Sequence, residues 1–235
     1  MTSNIEELPG HHWKEQDRVD EYISRTDEQQ EDRDPVFALM CRLIPKLKDD
    51  NVKILDIGSG HGPVITAVLD HFPKSTGIGL DISEAMMAVG TERMARFGDR
   101  FGYVTGDFSQ GELPKEVIDA GPYDVVVSAR AIHHLAGDEM SLLYKTIYDN
   151  LSVGGSFFNM DEASAPNQYL DDLFRAIRRG GEAVPQGNTM AAGRGGHSFK
   201  ATVAEHFEYL EKAGFQSVEC FWKRLNIALL GGYKQ

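Results

Sequence analysis

A chain of 235 residues that is 41% hydrophobic, with no long apolar run, has the length of one large α/β domain or of one domain with a small appendage. Its polar start, MTSNIEELPGHHWKEQDRVDEY, has neither the basic nor the apolar segment of a secretory leader, so no membrane span is expected and the expected compartment is the cytoplasm. The net charge of −12 argues against nucleic acid as a partner, because phosphate-backbone binding relies on clustered Lys and Arg.

The chain alternates between two periods. A polar helical lead-in, HHWKEQDRVDEYISRTDEQQEDRDP, precedes DPVFALMCRLIPKL, which reads as a helix with Asp34 as N-cap and Pro35 at its first position. VKILDIG follows as a short apolar strand, HGPVITAVLDHF as a helix and STGIGLDIS as a strand closing on an acid. EAMMAVGTERMARF (helix), FGYVTGDF (strand), YDVVVSAR (strand), DEMSLLYKTIYDNL (helix) and GGSFFNMDE (strand) continue the pattern. Strands alternating with such helices predict βαβ units and a parallel sheet covered on both faces. SVECFWKRL and NIALLGGYK stand almost back to back, too close for a parallel crossover, so they must form an antiparallel hairpin. The glycine-rich stretch at 178–198 reads as a loop, and Arg175, Arg178 and Arg179 before it as a solvated helix face. Cys41 and Cys220 lie in apolar surroundings and read as reduced, buried thiols.

The run ILDIGSGHG carries the strongest chemical signal. Its glycines, 58, 60 and 62, do not have the G-x-G-x-x-G spacing of a dinucleotide loop, since the third arrives one residue early. Asp56, directly before the loop, would repel a pyrophosphate but suits a ligand bearing an ammonium or a sulfonium. Asp81 ends the second strand, where a carboxylate can accept both hydroxyls of a ribose. Asp107 and Phe108 end the third, where an acid can meet an adenine amino group and an aromatic ring can cover its face. Each acid taken singly also fits an N-cap, Asp81 above all because SEAM follows it. Together they describe an adenosine site with a positive tail.

These residues resemble the class I S-adenosylmethionine-dependent methyltransferases from about residue 35 to the C-terminus. LDIGSGHG is similar to the family's first motif, GIGLDIS to the second, GDF to the third, YDVVVSARAIHHL to the fourth and LSVGGSFFNMDE to the segment into the fifth strand. The resemblance implies an α/β, Rossmann-like, doubly wound and mostly parallel seven-stranded sheet with the antiparallel C-terminal hairpin. It implies S-adenosylmethionine as cofactor and S-adenosylhomocysteine as product. Asp56, Gly58, Ser59 and Gly60 would hold the methionine end, Asp81 the ribose, Ile82 and Phe108 the two faces of adenine, and Asp107 its amino group. Backbone from Ser128 through Ala129 to Arg130 would complete the pocket. Residues 1–34 would be an N-terminal helical lid bringing Trp13, Tyr22 and Arg25 over the cofactor, and 35–235 the methyltransferase domain with a Gly-rich insertion at 178–198.

His133 and His134 follow the fourth strand, where side chains of this family face the transferred methyl. With an ordinary pKa near ~6.5, a histidine there can accept the acceptor's proton; the other reading has one histidine packing under the cofactor and the second capping the next helix. Asp161 and Glu162 are further candidates for orienting an acceptor, and Asp161 joins the two histidines in the catalytic set. Spacing gives no metal site. The expected partner is a small-molecule acceptor lying between the lid and the stretch from Asn167 to His197. Oligomeric state is left open, with a homodimer among the alternatives. TVAEHFEYLEKAGFQSVECFWKRLNIALLGG is also similar to the C-terminal segment of the carboxy-S-adenosylmethionine synthases, but their carboxylate-gripping arginine falls on Tyr209, which favours methyl transfer. A binding scaffold without turnover and an NAD-dependent oxidoreductase are the remaining alternatives.

Overall fold

In a computed structural model of the chain, the residues described are 16–178, 180 and 200–235. Trp13, Arg179 and most of the Gly-rich stretch therefore lie outside the described residues. The apolar runs become seven strands: β1 (Lys53–Ile57), β2 (Thr76–Asp81), β3 (Phe101–Thr105), β4 (Tyr123–Ala129), β5 (Leu151–Glu162), β6 (Gln216–Arg224) and β7 (Ile227–Tyr233). They form one sheet in the order β3-β2-β1-β4-β5-β7-β6. Strands β1 to β5 pair in parallel, and β7 runs antiparallel to both β5 and β6. The Rossmann-like sheet and the terminal hairpin are as expected from the sequence, and the reversed strand lies inside the sheet with β6 as the edge.

Burial on both faces explains why β1 and β4 read as nearly continuous apolar runs. Leu55, Ile57, Val126 and Phe157 face the helices α5 (Lys115–Ala120), α6 (Gly137–Asn150) and α8 (Val203–Ala213). Ile54, Val125, Val127 and Phe158, one residue out of phase, face α2 (Gln30–Leu43) and α3 (Pro63–His71). A small third cluster joins Val19 and Ile23 of α1 (Gln16–Glu28) to Met86 of α4 (Glu84–Met94). The remaining helix, α7 (Gln168–Arg178), follows β5.

The start of α2 corrects the sequence reading. Gln29 and not Asp34 is its N-cap residue, and Pro35 sits inside the helix. Contacts back to α1 outweigh the local cap signal: Arg33 donates to the Thr26 carbonyl and to Gln30 Oε1, while the Gln30 amide reaches Asp34. A division at residue 34 would thus cut through α2.

Cys41 is buried and Cys220 half-buried, and neither forms a disulfide. Burial pushes the Cys41 thiol up to about 12, which leaves it without thiolate character at neutral pH. No described helix is long and apolar enough to cross a membrane.

Candidate active site

Strand order reverses between β1 and β4, and ligands of open α/β sheets bind outside the carboxyl ends of the strands at such a point. The glycine loop leaves β1 there. Gly58, Gly60 and Gly62 have φ of 68°, 54° and 85°, left-handed values that side chains seldom tolerate. The Gly58 and Ser59 amides both donate to the Leu80 carbonyl, and the Tyr103 hydroxyl donates to the Gly60 carbonyl at 3.0 Å. Tyr103, which the sequence reading passed over, ties the loop to β3.

Asp81 accepts the Gly60 amide at 2.7 Å on one oxygen and the Ser83 amide at 2.8 Å on the other. Burial raises its pKa against the pull of the Ser83, Gly60 and Ile82 amides. The N-cap of α4 is Ser83, whose hydroxyl accepts from the Met86 amide, so Asp81 is not needed in that role. Asp107 is exposed and accepts from the Ser109 amide and hydroxyl at 2.8 and 2.9 Å. Ile82 and Phe108 are half-buried beside these acids, and the Phe108 ring reaches towards Gly58.

Asp56 is 1% exposed and accepts the Ser59 hydroxyl at 2.8 Å, while its second oxygen makes no hydrogen bond of normal geometry. Burial pushes its pKa up to about 7, partly offset by the Ser59 hydroxyl and the Ile65 amide. The Ser128 side chain is buried and donates to the Ile57 carbonyl at 2.8 Å. This commits Ser128 to the sheet and leaves Ala129 and Arg130 at the mouth. Arg130 takes a φ of 62°, and its amide donates to the Met160 carbonyl; a non-glycine residue in that region marks local strain.

Across the mouth, β5 brings Asp161 to the short helical turn Ile132–His134. Asp161 accepts the His133 amide at 2.9 Å and meets His133 Nδ1 at 2.5 Å. Burial alone would raise the Asp161 pKa, but His133, Arg130 and the Glu162 amide outweigh it and hold the carboxyl well below the usual carboxylate range. An ionised Asp161 on Nδ1 fixes the tautomer of His133 and makes Nε2 its basic nitrogen. The His134 ring lies 4.1 Å from that of His133, tilted by 39°. The structure thus unites His133 and Asp161, two residues that sequence reasoning named separately.

A cavity of about 640 Å³ opens beside the ends of β4 and β5, bounded by α1, α2, α7 and the β6–β7 turn. Tyr22, Arg130 and Met160 line it; His133 and Asp161 are not among its described lining residues, but Asp161 follows Met160 in β5 and feels the Arg130 charge. Burial raises the Tyr22 pKa, although Arg130 and Arg33 oppose it, so the phenol stays protonated. The Arg25 guanidinium stands 5.5 Å from the Tyr22 ring centre and also lines the cavity. Arg178 is exposed, as a solvated helix face requires, and also lines the cavity, whereas Arg175 pairs with Asp171. Sequence reasoning missed Arg33 and Arg224, which reach the same cavity from elements distant in the chain.

Helix α1 is anchored by a polar relay that the sequence did not announce. Arg93 donates to His61 Nδ1 at 3.3 Å, His61 Nε2 lies 3.1 Å from the Thr26 hydroxyl, and Thr26 donates to the Ile23 carbonyl at 2.9 Å. Arg93 also holds Asp27 through both carboxylate oxygens. Burial first, then the Arg93 charge, lowers the His61 pKa to about 4, so the ring is neutral and bridges α1 to the glycine loop. Among the described residues no cluster of three or more His, Cys, Asp or Glu forms a metal-binding group.

Comparison with known proteins agrees with this geometry. Residues 55–157, from β1 into β5, match the methyltransferase domain family. Over these residues the chain is similar to the class I S-adenosylmethionine-dependent methyltransferases. The chain is 22% identical over 201 residues to the carboxy-S-adenosyl-L-methionine synthase of Nautilia profundicola, a match covering 83% of each chain. It is 32% identical over 107 residues to the S-adenosyl-L-methionine-dependent methyl transferase PigF of a Serratia species, covering 44% of this chain and 28% of that protein. Its fold is similar to the solved structure of PigF with SAH, with a TM-score of 0.65 at 19% identity over 94% of this chain and 60% of that one. It is also similar to an O-methyltransferase family 2 protein from Planctomyces limnophilus solved with apigenin, with a TM-score of 0.67 at 16% identity over 94% and 62% of the two chains. The chain spans less than two thirds of either solved chain.

Proposed function

We propose that this chain binds S-adenosylmethionine over the ends of β1 to β4 and transfers its methyl group to a small-molecule acceptor held in the adjoining cavity. The observation that carries this reading is the placement of Asp81. The Gly60, Ser83 and Ile82 amides hold this carboxylate beside three left-handed glycines, and its two oxygens, with about four lone pairs between them, keep an acceptor position for a ribose hydroxyl. The unpartnered oxygen of Asp56 fits a cationic tail nearby. In this reading Ile82 and Phe108 cover the adenine faces, Asp107 meets its amino group, and Gly58, Ser59, Gly60, Ala129 and Arg130 line the methionine end, with Tyr22 and Arg25 closing over it from α1.

When bound, the cofactor supplies a methyl group on a positively charged sulfur, already activated for displacement. The chain holds the two partners in line, an effect that supplies ~7–11 kcal/mol of such a barrier. His133, fixed by Asp161, accepts through Nε2 the proton that a hydroxyl or amine acceptor loses. Helix α1, latched through His61, keeps water from the site.

The test is ligand binding followed by turnover. S-adenosylhomocysteine at about 100 times its dissociation constant should add ~2.7 kcal/mol to folding stability, and acceptor screening should release homocysteine equivalents. A melt unmoved by S-adenosylhomocysteine yet raised by NAD would overturn the proposal.

A second reading, carboxylation of the cofactor, is favoured by the relative that matches over most of both chains. Against it, Tyr209 stands where that family's arginine is expected, and it packs with the α6–α8 face of the sheet, opposite the face that supports the cavity. Mass spectrometry of the cofactor after incubation separates the two readings.

A further inference from the structure

Five guanidinium groups line the cavity: Arg25 from α1, Arg33 from α2, Arg130 after β4, Arg178 at the end of α7 and Arg224 at the end of β6. Asp32 is the one carboxylate among its described lining residues. In a chain with 24 Lys and Arg against 36 Asp and Glu, composition alone would give such a cavity more acids than bases. Because each arginine comes from a different element, the cluster is not the solvated face of a single helix.

Their own partners leave most of this charge unmatched. Arg130 pairs with Glu162 at 2.5 Å, and Glu162 is shared with Lys200. Arg224 meets Asp32 at 3.3 Å, a pair exposed enough to contribute little. Among the described residues no carboxylate pairs with Arg25, Arg33 or Arg178. Arg33 binds only a carbonyl and an amide oxygen, and its Nε is buried without a hydrogen-bond partner. Arg33 and Arg130 are half-buried, and Arg25, Arg178 and Arg224 stand exposed around them; like charges gathered in one cavity repel one another unless an anion joins them, and the guanidinium fork matches a carboxylate in two-point geometry. Between the arginines lie Val36, Met160, Trp222 and Ile227, which suit an apolar body. The volume of about 640 Å³ is that of a small-molecule site.

We infer that the methyl acceptor is a carboxylate-bearing small molecule with an apolar body, clamped by Arg33, Arg178 and Arg224, the arginines of the cavity that the cofactor does not take. The inference rests on the reading of the cavity as the acceptor site.

Calorimetric titration of the full chain first measures S-adenosylhomocysteine binding. The saturated protein is then titrated with 4-hydroxybenzoate, 4-hydroxyphenylacetate and hexanoate, each beside its methyl ester. At least one acid should bind about tenfold or more tightly than its ester, and Arg178→Gln should weaken that acid by about tenfold while S-adenosylhomocysteine affinity holds. Arg178→Lys should recover part of the loss. If no acid outbinds its ester, or if acids bind only the chain without S-adenosylhomocysteine, the inference is wrong; the second result would assign the arginines to the cofactor's own carboxylate. A chain that fails to bind S-adenosylhomocysteine refutes the proposed function instead, and the acid–ester comparison on that chain then decides the anion preference by itself.

Discussion

On one side of the β1–β4 reversal three carboxylates, Asp56, Asp81 and Asp107, stand at successive strand ends. On the other side guanidinium groups converge from five elements around a cavity. Each acid is steadied by neighbours close in sequence or on the next strand: Ser59 for Asp56, Gly60 and Ser83 for Asp81, Ser109 for Asp107. The arginines have no such local support and meet only when the sheet has formed. In the proposed function the difference separates two tasks, recognition of a cationic cofactor by a fixed motif and recognition of an acceptor by a surface assembled from distant parts. The Asp161–His133 pair sits at the seam.

The largest effect should come from that seam. If His133 takes a proton, His133→Ala lowers turnover by ~10²–10⁴-fold with little change in S-adenosylhomocysteine affinity. The double variant with His134→Ala, measured beside both singles, shows whether the second ring substitutes. Unchanged turnover in all three would leave alignment as the whole mechanism and Asp161 as a support for the turn.

The acidic side is tested next by Asp81→Ala. Hydrogen bonds to a charged group contribute roughly 1.5–3 kcal/mol each, so S-adenosylhomocysteine affinity should fall at least tenfold in a folded protein. Asp81→Asn, which keeps one acceptor oxygen, should lie between. Equal affinity in all three proteins would remove the ribose from this carboxylate.

A gentler test uses pH. The folded-state pKa of Asp56, about 7, lies above its unfolded value, so this group favours the fold at low pH, and that contribution fades as pH rises towards 7. A cationic ligand prefers the ionised form, so S-adenosylmethionine affinity should climb as pH rises from about 5.5 to 7, by at most about tenfold per unit, and then level off. Asp56→Asn should flatten the profile. A flat profile in the unaltered protein would mean that the ligand does not sense this charge.

The smallest effect belongs to the α1 latch. The His61 pKa is lowered to about 4, so the unfolded chain binds the extra proton more readily and stability falls as pH drops below about 6.5. Thr26→Val should cost about 1 kcal/mol and speed hydrogen exchange in α1, more so in mild acid. Exchange confined to its original rate would separate the latch from the motion of α1.

Sequence made the acidic side legible because strand periodicity, glycine spacing and strand-end acids are all local signals. It also made the hairpin legible, since two residues, Leu225 and Asn226, leave no room for a crossover. His133 and Asp161 were each visible as candidates, but their pairing depends on β4 and β5 lying side by side. The cavity was least visible: Arg33 lies beside a cap signal at Asp34 that tertiary contacts override, and Arg224 looks like an ordinary strand-end cation. Arg178 carries helical spacing that suits a solvated face equally well. No spacing rule joins those positions; the chain path does.

Gly58 gives the two sides a shared wall. A Cβ at this position would stand 2.1 Å from the Cβ of Ala131, two residues before His133, so only the Ala131 methyl separates the glycine loop from the histidine turn. Mechanically the two loops are one part: displacement of the first carries the second with it. A Gly58→Ala exchange would therefore act as a wedge, shifting the grip on the cofactor and the aim of the histidine in a single stroke.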